Sequence, residues 1–456
     1  MLRRIRPFPD CPWFFAYPCA AVVVVLITLI SIGSQALSLG TTGNHLAVNI
    51  LFVCLLCLAA FLLYAEQCPT KTILLLLLPV AAALYLRLCL LDHQTHDYQT
   101  FLAQWVEFFR QNGGFSAIGL SVGDYNMPYL YFLAAISYSS IPDLYLIKIF
   151  SILFDLLLAW AAMRLCRRLC QDGSVAPLLC FTLFLFLPTF VLNGSFWGQC
   201  DSLYAALILL AADCALGDRP NVSVLLLAVA FSFKLQTVFL LPLWCVFWFI
   251  GRIKFRHLLL FPVGYAITIL PALLLGKPLD EILSVYLTQA VEYNSRLTLN
   301  APSIFSLFPY GVEVDVSLFS RIAIIAAFVF LFALLLILLL NRKRLTSRTI
   351  LAAGAVMAIG IPFLLPHMHE RYFFLAGAVT LLLACTDIRF IPVAVLTELS
   401  SLCSYTTYLR LKYTLPFQLG SHYFVMAFEG LLMLAALVWC IVLFFRQLSR
   451  PSPRNP

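Results

Sequence analysis

The chain has 456 residues, of which 62% are hydrophobic and 11% charged, and its mean hydropathy is +0.97. An ordinary soluble domain is about 25% charged, so this composition excludes a water-soluble globular fold and leaves lipid as the solvent. The net charge of +8 does not point to nucleic acid, because Lys and Arg sit in short clusters between apolar runs, the arrangement that orients a membrane protein.

Apolar runs of about 20 residues, the length that crosses ~30 Å of hydrocarbon, recur along the whole chain. Such spans must be helical, because in lipid each backbone polar group needs a partner within its own segment. The predicted elements, in order, are spans at 13–34, 46–65, 72–91, 145–165, 175–192, 200–216, 220–234, 236–251, 257–275, 318–341, 349–365, 371–386, 390–409 and 422–446. The reading is an all-α polytopic bundle with about fourteen spans (range roughly 12–14) and both termini cytoplasmic. The opening Met1-Leu2-Arg3-Arg4 resembles a signal peptide. The run after it is long and no soluble domain follows, so it reads as a retained span. The apolar stretch 128–140 is too short to cross and reads as an interfacial helix. The stretch 219–251 reads as two short helices broken at Lys234, since a single span would invert the charge pattern downstream. Fifteen cysteines are scattered through apolar runs without zinc or disulfide spacing, as expected of small apolar core residues.

This topology gives N-terminal spans (1–91), a first outer loop with interfacial helices and a candidate catalytic aspartate (92–144), and central spans (145–275). A second outer loop (276–317), C-terminal spans and a short cytoplasmic tail (318–456) follow. Only the outer face is elaborated, so the work is expected there.

Ionisable groups at membrane depth are costly and mark function unless they form structural pairs. The first such cluster is Asp92-His93-Gln94-Thr95-His96-Asp97-Tyr98, followed by an aromatic stripe at helical spacing that includes Trp105. Asp97 either caps that helix or serves as a general base or metal ligand at the lip of a cavity. The second cluster, Asp124-Tyr125-Asn126, has the composition of an Asx turn. The third, Trp197-Gly198-Gln199-Cys200-Asp201-Ser202, reads as an N-cap with an interfacial Trp or as part of a site. The fourth, His367-Met368-His369-Glu370-Arg371-Tyr372, is the densest. Its Arg offers a bidentate fork and its histidines further donors for a phosphate. Lys234, in Phe233-Lys234-Leu235-Gln236, needs a counter-ion or an anionic ligand. Asp155 and Asp213 are ambiguous, with Asp213 near the cytoplasmic end. Asp92, Asp97, His367 and His369 are the groups that could hold a divalent cation, Mg or Mn, although the spacing does not require one.

These groups suit an anionic, amphipathic substrate together with a hydroxylated one, as in a lipid-linked sugar phosphate and its acceptor. Taken in order, His96-Asp97-Tyr98 with Trp105, Asp124-Tyr125-Asn126, Trp197 to Ser202, Phe233 to Gln236 and His367 to Tyr372 resemble the motifs of bacterial relatives of GPI mannosyltransferase II. Those relatives belong to the GT-C glycosyltransferase superfamily, and the likeness covers roughly residues 87–375. The His-x-His-Glu-Arg element is also similar to one in the dolichyl-phosphate-glucose-dependent glucosyltransferases of N-glycan assembly. The resemblance implies an inverting transferase that uses a polyprenyl-phosphate monosaccharide on the outer or luminal face, with Asp97 as its catalytic carboxylate. Substrate or donor-phosphate binding is expected of His367, His369, Glu370, Arg371, Lys234 and Gln236. Substrate binding is expected of Asp92, His96, Tyr98, Trp105, Asp124, Tyr125, Asn126, Trp197, Gln199 and Asp201. The expected partners are the lipid-linked donor, a glycan, lipid or protein hydroxyl acceptor, and membrane lipid. A bacterial plasma membrane is the expected location, or the endoplasmic reticulum if the source is eukaryotic. One departure is that two more spans precede the first outer loop than in a minimal member; an even number keeps the sidedness. The competing expectations are a transporter or flippase of lipid-linked saccharides, whose sites would lie near the midplane of inverted repeats, and a surface-polysaccharide polymerase or ligase.

Overall fold

The computed structural model describes residues 45–292 and 295–449. The expected first span at 13–34 and the tail after Arg450 lie outside them. The described chain is almost entirely helical, a polytopic membrane architecture. Eight of its helices are long and apolar enough to cross a membrane, or nine if the bent pair Ala176–Phe186 and Pro188–Trp197 is one span.

The eight are Val48–Ala65, Thr70–Leu88, Asp143–Leu169, Phe255–Leu274, Val316–Leu340, Ser347–Leu364, Ile388–Arg410 and Ala427–Leu448. Each matches a predicted run. The number is lower because the run at 13–34 lies outside the described residues and other apolar runs are cut short. Asp201–Leu216 has 16 residues, Pro220–Phe233 has 14 and Phe374–Thr386 has 13, each below the ~20 residues that cross a bilayer unaided. The pair at 176–197 bends by 49° at Pro188, where a proline at N1 starts a new helix after an extended Leu187. Glu398 fixes this bend, accepting from the Thr189 amide at 2.9 Å and its hydroxyl at 2.7 Å.

The break at Lys234 is present. Its backbone is extended (φ −145°, ψ 128°) between Pro220–Phe233 and the short turn Leu235–Phe239, and a further helix, Pro242–Phe249, follows. The 128–140 stretch forms the ten-residue helix Met127–Ile136, and the aromatic stripe forms Ala103–Gln111 after a π-turn at Tyr98–Leu102. Two boundaries differ from expectation. Residues 417–424 form a β-hairpin, so the last helix starts only at Ala427, and Arg371 lies in a turn before Phe374. The segment 276–317 is shaped by a helix, Leu279–Glu292, and by a parallel pairing of Thr298–Leu299 with Met368–His369. That pairing fastens the His-Met-His segment to a loop some 70 residues earlier in the chain.

Two charged groups left open by the sequence are structural. Asp155 is buried and pairs with Arg87 Nε at 2.8 Å; it also accepts from Ser202. Asp213, at the far end of the Asp201–Leu216 helix, receives Arg164, Arg168 and Arg219. At 1.5 Å per residue, twelve residues put Asp201 and Asp213 roughly 18 Å apart, so this helix joins two chemically distinct ends of the bundle.

Candidate active site

Asp97 begins the π-turn Tyr98–Leu102 with helical backbone angles, but its side chain makes no capping bond. The capping reading therefore fails. Its carboxylate accepts instead from Trp197 Nε1 at 2.8 Å, from Gln199 Nε2 at 3.1 Å and from the Tyr408 hydroxyl, and it lies 3.7 Å from Arg371 Nη1. The donors come from segments 100 to 311 residues away. A second π-turn, Leu192–Trp197, ends at Gly198 in the left-handed region (φ +85°), which returns the chain so that Gln199 faces Asp97. Trp197 is buried and stacked on Tyr408, with ring centroids 4.7 Å apart. The carboxylate is thus held from several sides while its side chain remains 16% exposed, facing a pocket of about 220 Å³.

The cationic side of the site is built on two residues. Lys234, placed by the helix break, pairs with Asp201 at 3.2 Å and donates to the Tyr125 hydroxyl at 3.2 Å and Gln199 Oε1 at 3.4 Å. Asp201 is therefore the counter-ion the sequence demanded, and it also accepts from Asn193 at 2.8 Å. Arg371 lies over the Trp197 ring, 5.6 Å from its centroid. Its carboxylate neighbours stand off at 3.7 Å (Asp97) and 3.9 Å (Glu370), and its Nε is buried with no hydrogen-bond partner among the described residues. A planar guanidinium held this way keeps donors for an incoming anion. Arg371, His369, Asp124 and Tyr125 also wall a smaller pocket of about 60 Å³ that reaches Lys234 and Gln236.

Burial sets the charge states here. His369 is lowered to about 3 by burial and by the positive charges of Arg371 and Lys234, so its imidazole is neutral at physiological pH. Glu370, buried, is pushed up to about 7 against the pull of Arg371. Burial also raises Asp124. A pocket with several carboxylates around two cations therefore carries less negative charge than its formula suggests.

Of the residues singled out from sequence, His96, Trp105, Asp124, Tyr125, Gln199, His369, Glu370 and Arg371 line the pocket with Asp97. Trp197 and Asp201 support it from beneath. Four others do something else. His367 adopts a left-handed backbone (φ 61°), and its ring lies between Ser320 Oγ at 3.1 Å and the Arg296 carbonyl at 2.6 Å. It pins the segment 276–317 and does not reach the pocket. Asp92 accepts from the Tyr145 hydroxyl. Asn126 caps Met127–Ile136, accepting from the Met127 amide at 2.7 Å, and donates to Tyr265. Tyr98 packs against the apolar core. The candidate cation set does not assemble: of Asp92, Asp97, His367 and His369 only Asp97 and His369 share the pocket, and no group of three or more His, Cys, Asp or Glu among the described residues could hold a metal. Arg371 beside Asp97 disfavours a second cation there as well.

Two residues at the site carried no sequence signal. Tyr408 lies near the end of an apolar span, and Tyr286, on the Leu279–Glu292 helix, walls the smaller pocket. A lone tyrosine in an apolar run looks like an interfacial anchor, and only the folded chain shows its partner. The arrangement offers a held carboxylate that can accept a proton beside a guanidinium that can bind an anion. No protein-family model and no curated protein matches the sequence.

Proposed function

We propose that the chain is a membrane hexosyltransferase of the GT-C type. It moves a monosaccharide, mannose or another hexose, from a polyprenyl-phosphate donor to a hydroxyl acceptor with inversion. The observation that carries this reading is the Asp97 carboxylate, held by Trp197, Gln199 and Tyr408 and facing a pocket whose opposite charge is Arg371, 3.7 Å away. In this reading the acceptor hydroxyl gives its proton to Asp97 as its oxygen bonds to the anomeric carbon. The bond from that carbon to the phosphate oxygen breaks, and the lipid phosphate leaves with the electron pair toward Arg371 and Lys234. General-base catalysis of this kind contributes about 10²–10⁴-fold, and fixed alignment of acceptor and donor adds to it.

In the same reading the shorter apolar helices cross as well, which gives about fourteen spans in the whole chain, cytoplasmic termini, and an active face turned outward from a bacterial plasma membrane. The basic clusters that contain Arg164, Arg167 and Arg168 then lie inside. The test is a donor panel: the full chain in lipid nanodiscs with radiolabelled polyprenyl-phosphate mannose, glucose and galactose, scored for sugar released to acceptor or water. Release from at least one donor supports the transferase. Movement of intact donor between leaflets, with none cleaved, replaces it with a flippase.

A further inference from the structure

A second pocket, of about 240 Å³, shares only Asp124 and Tyr125 with the pocket over Asp97. Its other wall is the Leu279–Glu292 helix, where Glu281, Ser284 and Thr288 have the spacing of one helix face. The first outer loop is clamped against this helix. Ser121 Oγ donates to Glu281 at 2.8 Å, and the buried Lys277 donates to the Leu120 carbonyl at 2.9 Å while lying 3.4 Å from Glu281. The opening is therefore shaped by both outer loops before any ligand arrives.

The lining chemistry is specific. Hydroxyls and a carboxylate offer interleaved donors and acceptors, and Val122, Tyr125 and Val285 supply apolar lining. That pairing suits a polyhydroxylated ring, with polar edges and an apolar face. The volume falls below the roughly 300–1,000 Å³ of clefts for drug-sized ligands, which fits a single sugar ring. Position completes the argument, because the Asp124–Tyr125 wall is the boundary with the pocket that holds Asp97.

We propose that this pocket is the acceptor subsite: it takes a hydroxyl-rich sugar ring of the acceptor and presents a hydroxyl over the Asp124–Tyr125 wall to Asp97. The inference rests on the transferase reading. It makes the acceptor a glycan or glycoside, in preference to a protein side chain, and gives the second outer loop a role in acceptor choice.

The test photolyses the full chain in nanodiscs with tritiated alkyl hexosides that carry a diazirine, in gluco, manno and galacto configurations, and maps the labelled peptides by mass spectrometry. At least one hexoside is expected to label 121–130 or 277–288 saturably, with the parent hexoside competing. Glu281→Gln, isosteric at a part-exposed side chain, and Ser284→Trp, which fills the pocket, should each lower that labelling about tenfold, the effect of losing one charge-assisted hydrogen bond. No saturable label there with any of the three, or undiminished label in both variants, overturns the subsite. Donor cleavage by the wild type is scored in the same discs. Saturable labelling without any cleavage overturns the acceptor role together with the transferase reading and leaves a carbohydrate-binding pocket.

Discussion

At the Asp213 end of the bundle, opposite charges are in direct contact. Asp213 accepts from Arg164 at 3.1 Å and from Arg219 at 3.3 Å and also meets Arg168, while Glu66 receives Arg164 and Arg167. At the Asp97 end Lys234 contacts Asp201, but Arg371 stands 3.7 and 3.9 Å from its carboxylates, and both Arg371 Nε and Glu370 Oε1 are buried without hydrogen-bond partners among the described residues. Buried polar atoms are nearly always satisfied, so the first arrangement ties helices together and the second has the form of a site completed by a ligand. One helix, Asp201–Leu216, carries a carboxylate at each end, which makes the contrast open to experiment within a single element.

The largest expected effect on stability lies at the paired end. Asp213→Ala leaves three arginines facing one another and should lower unfolding free energy by about 3 kcal/mol, the low end for a buried pair because the arginines are partly exposed. Denaturant titration in nanodiscs measures this, and donor affinity should be unchanged; a loss of affinity instead would couple the two ends. Next, Arg371→Ala should weaken donor binding about 30- to 100-fold, the value of a charge-assisted fork, with little change in stability. Unfolding of that variant would mean that Arg371 is structural after all. Tyr408→Phe removes one donor to Asp97 and should cut turnover about tenfold while sparing the donor KM.

The smallest effect is a pH dependence. Glu370 is pushed up to about 7, so it is neutral below that pH and anionic above it. The donor phosphodiester keeps a single negative charge throughout. Donor affinity should therefore fall a few-fold from about pH 6 to about pH 8, and Glu370→Gln should flatten the curve. An unchanged slope in Glu370→Gln would assign the titration to another group.

Much of this was legible in the sequence because membranes penalise polar atoms. Asp97, Lys234, Glu370 and Arg371 stand out against an apolar background, and the break at Lys234 follows from the same logic. Composition could not separate site residues from residues that hold the site's frame. His367 precedes the short strand Met368–His369 with a left-handed backbone (φ 61°), which breaks the strand alternation that would put both rings on one face, so one ring meets Ser320 and the other the pocket. Asn126, read as part of an Asx turn or a substrate contact, is instead the cap of Met127–Ile136. The span count was the least legible feature, since a run's apolarity does not show where Pro188 or Lys234 will cut it.

The most direct test of the central claim compares wild type with Asp97→Asn in nanodiscs supplied with a cleavable radiolabelled polyprenyl-phosphate hexose, measuring sugar release and donor affinity on the same preparation. The account predicts a rate lower by about 10³-fold with donor affinity within about threefold, because the amide keeps the carboxylate's shape but takes up no proton. An Asp97→Asn variant that releases sugar at the wild-type rate would contradict it.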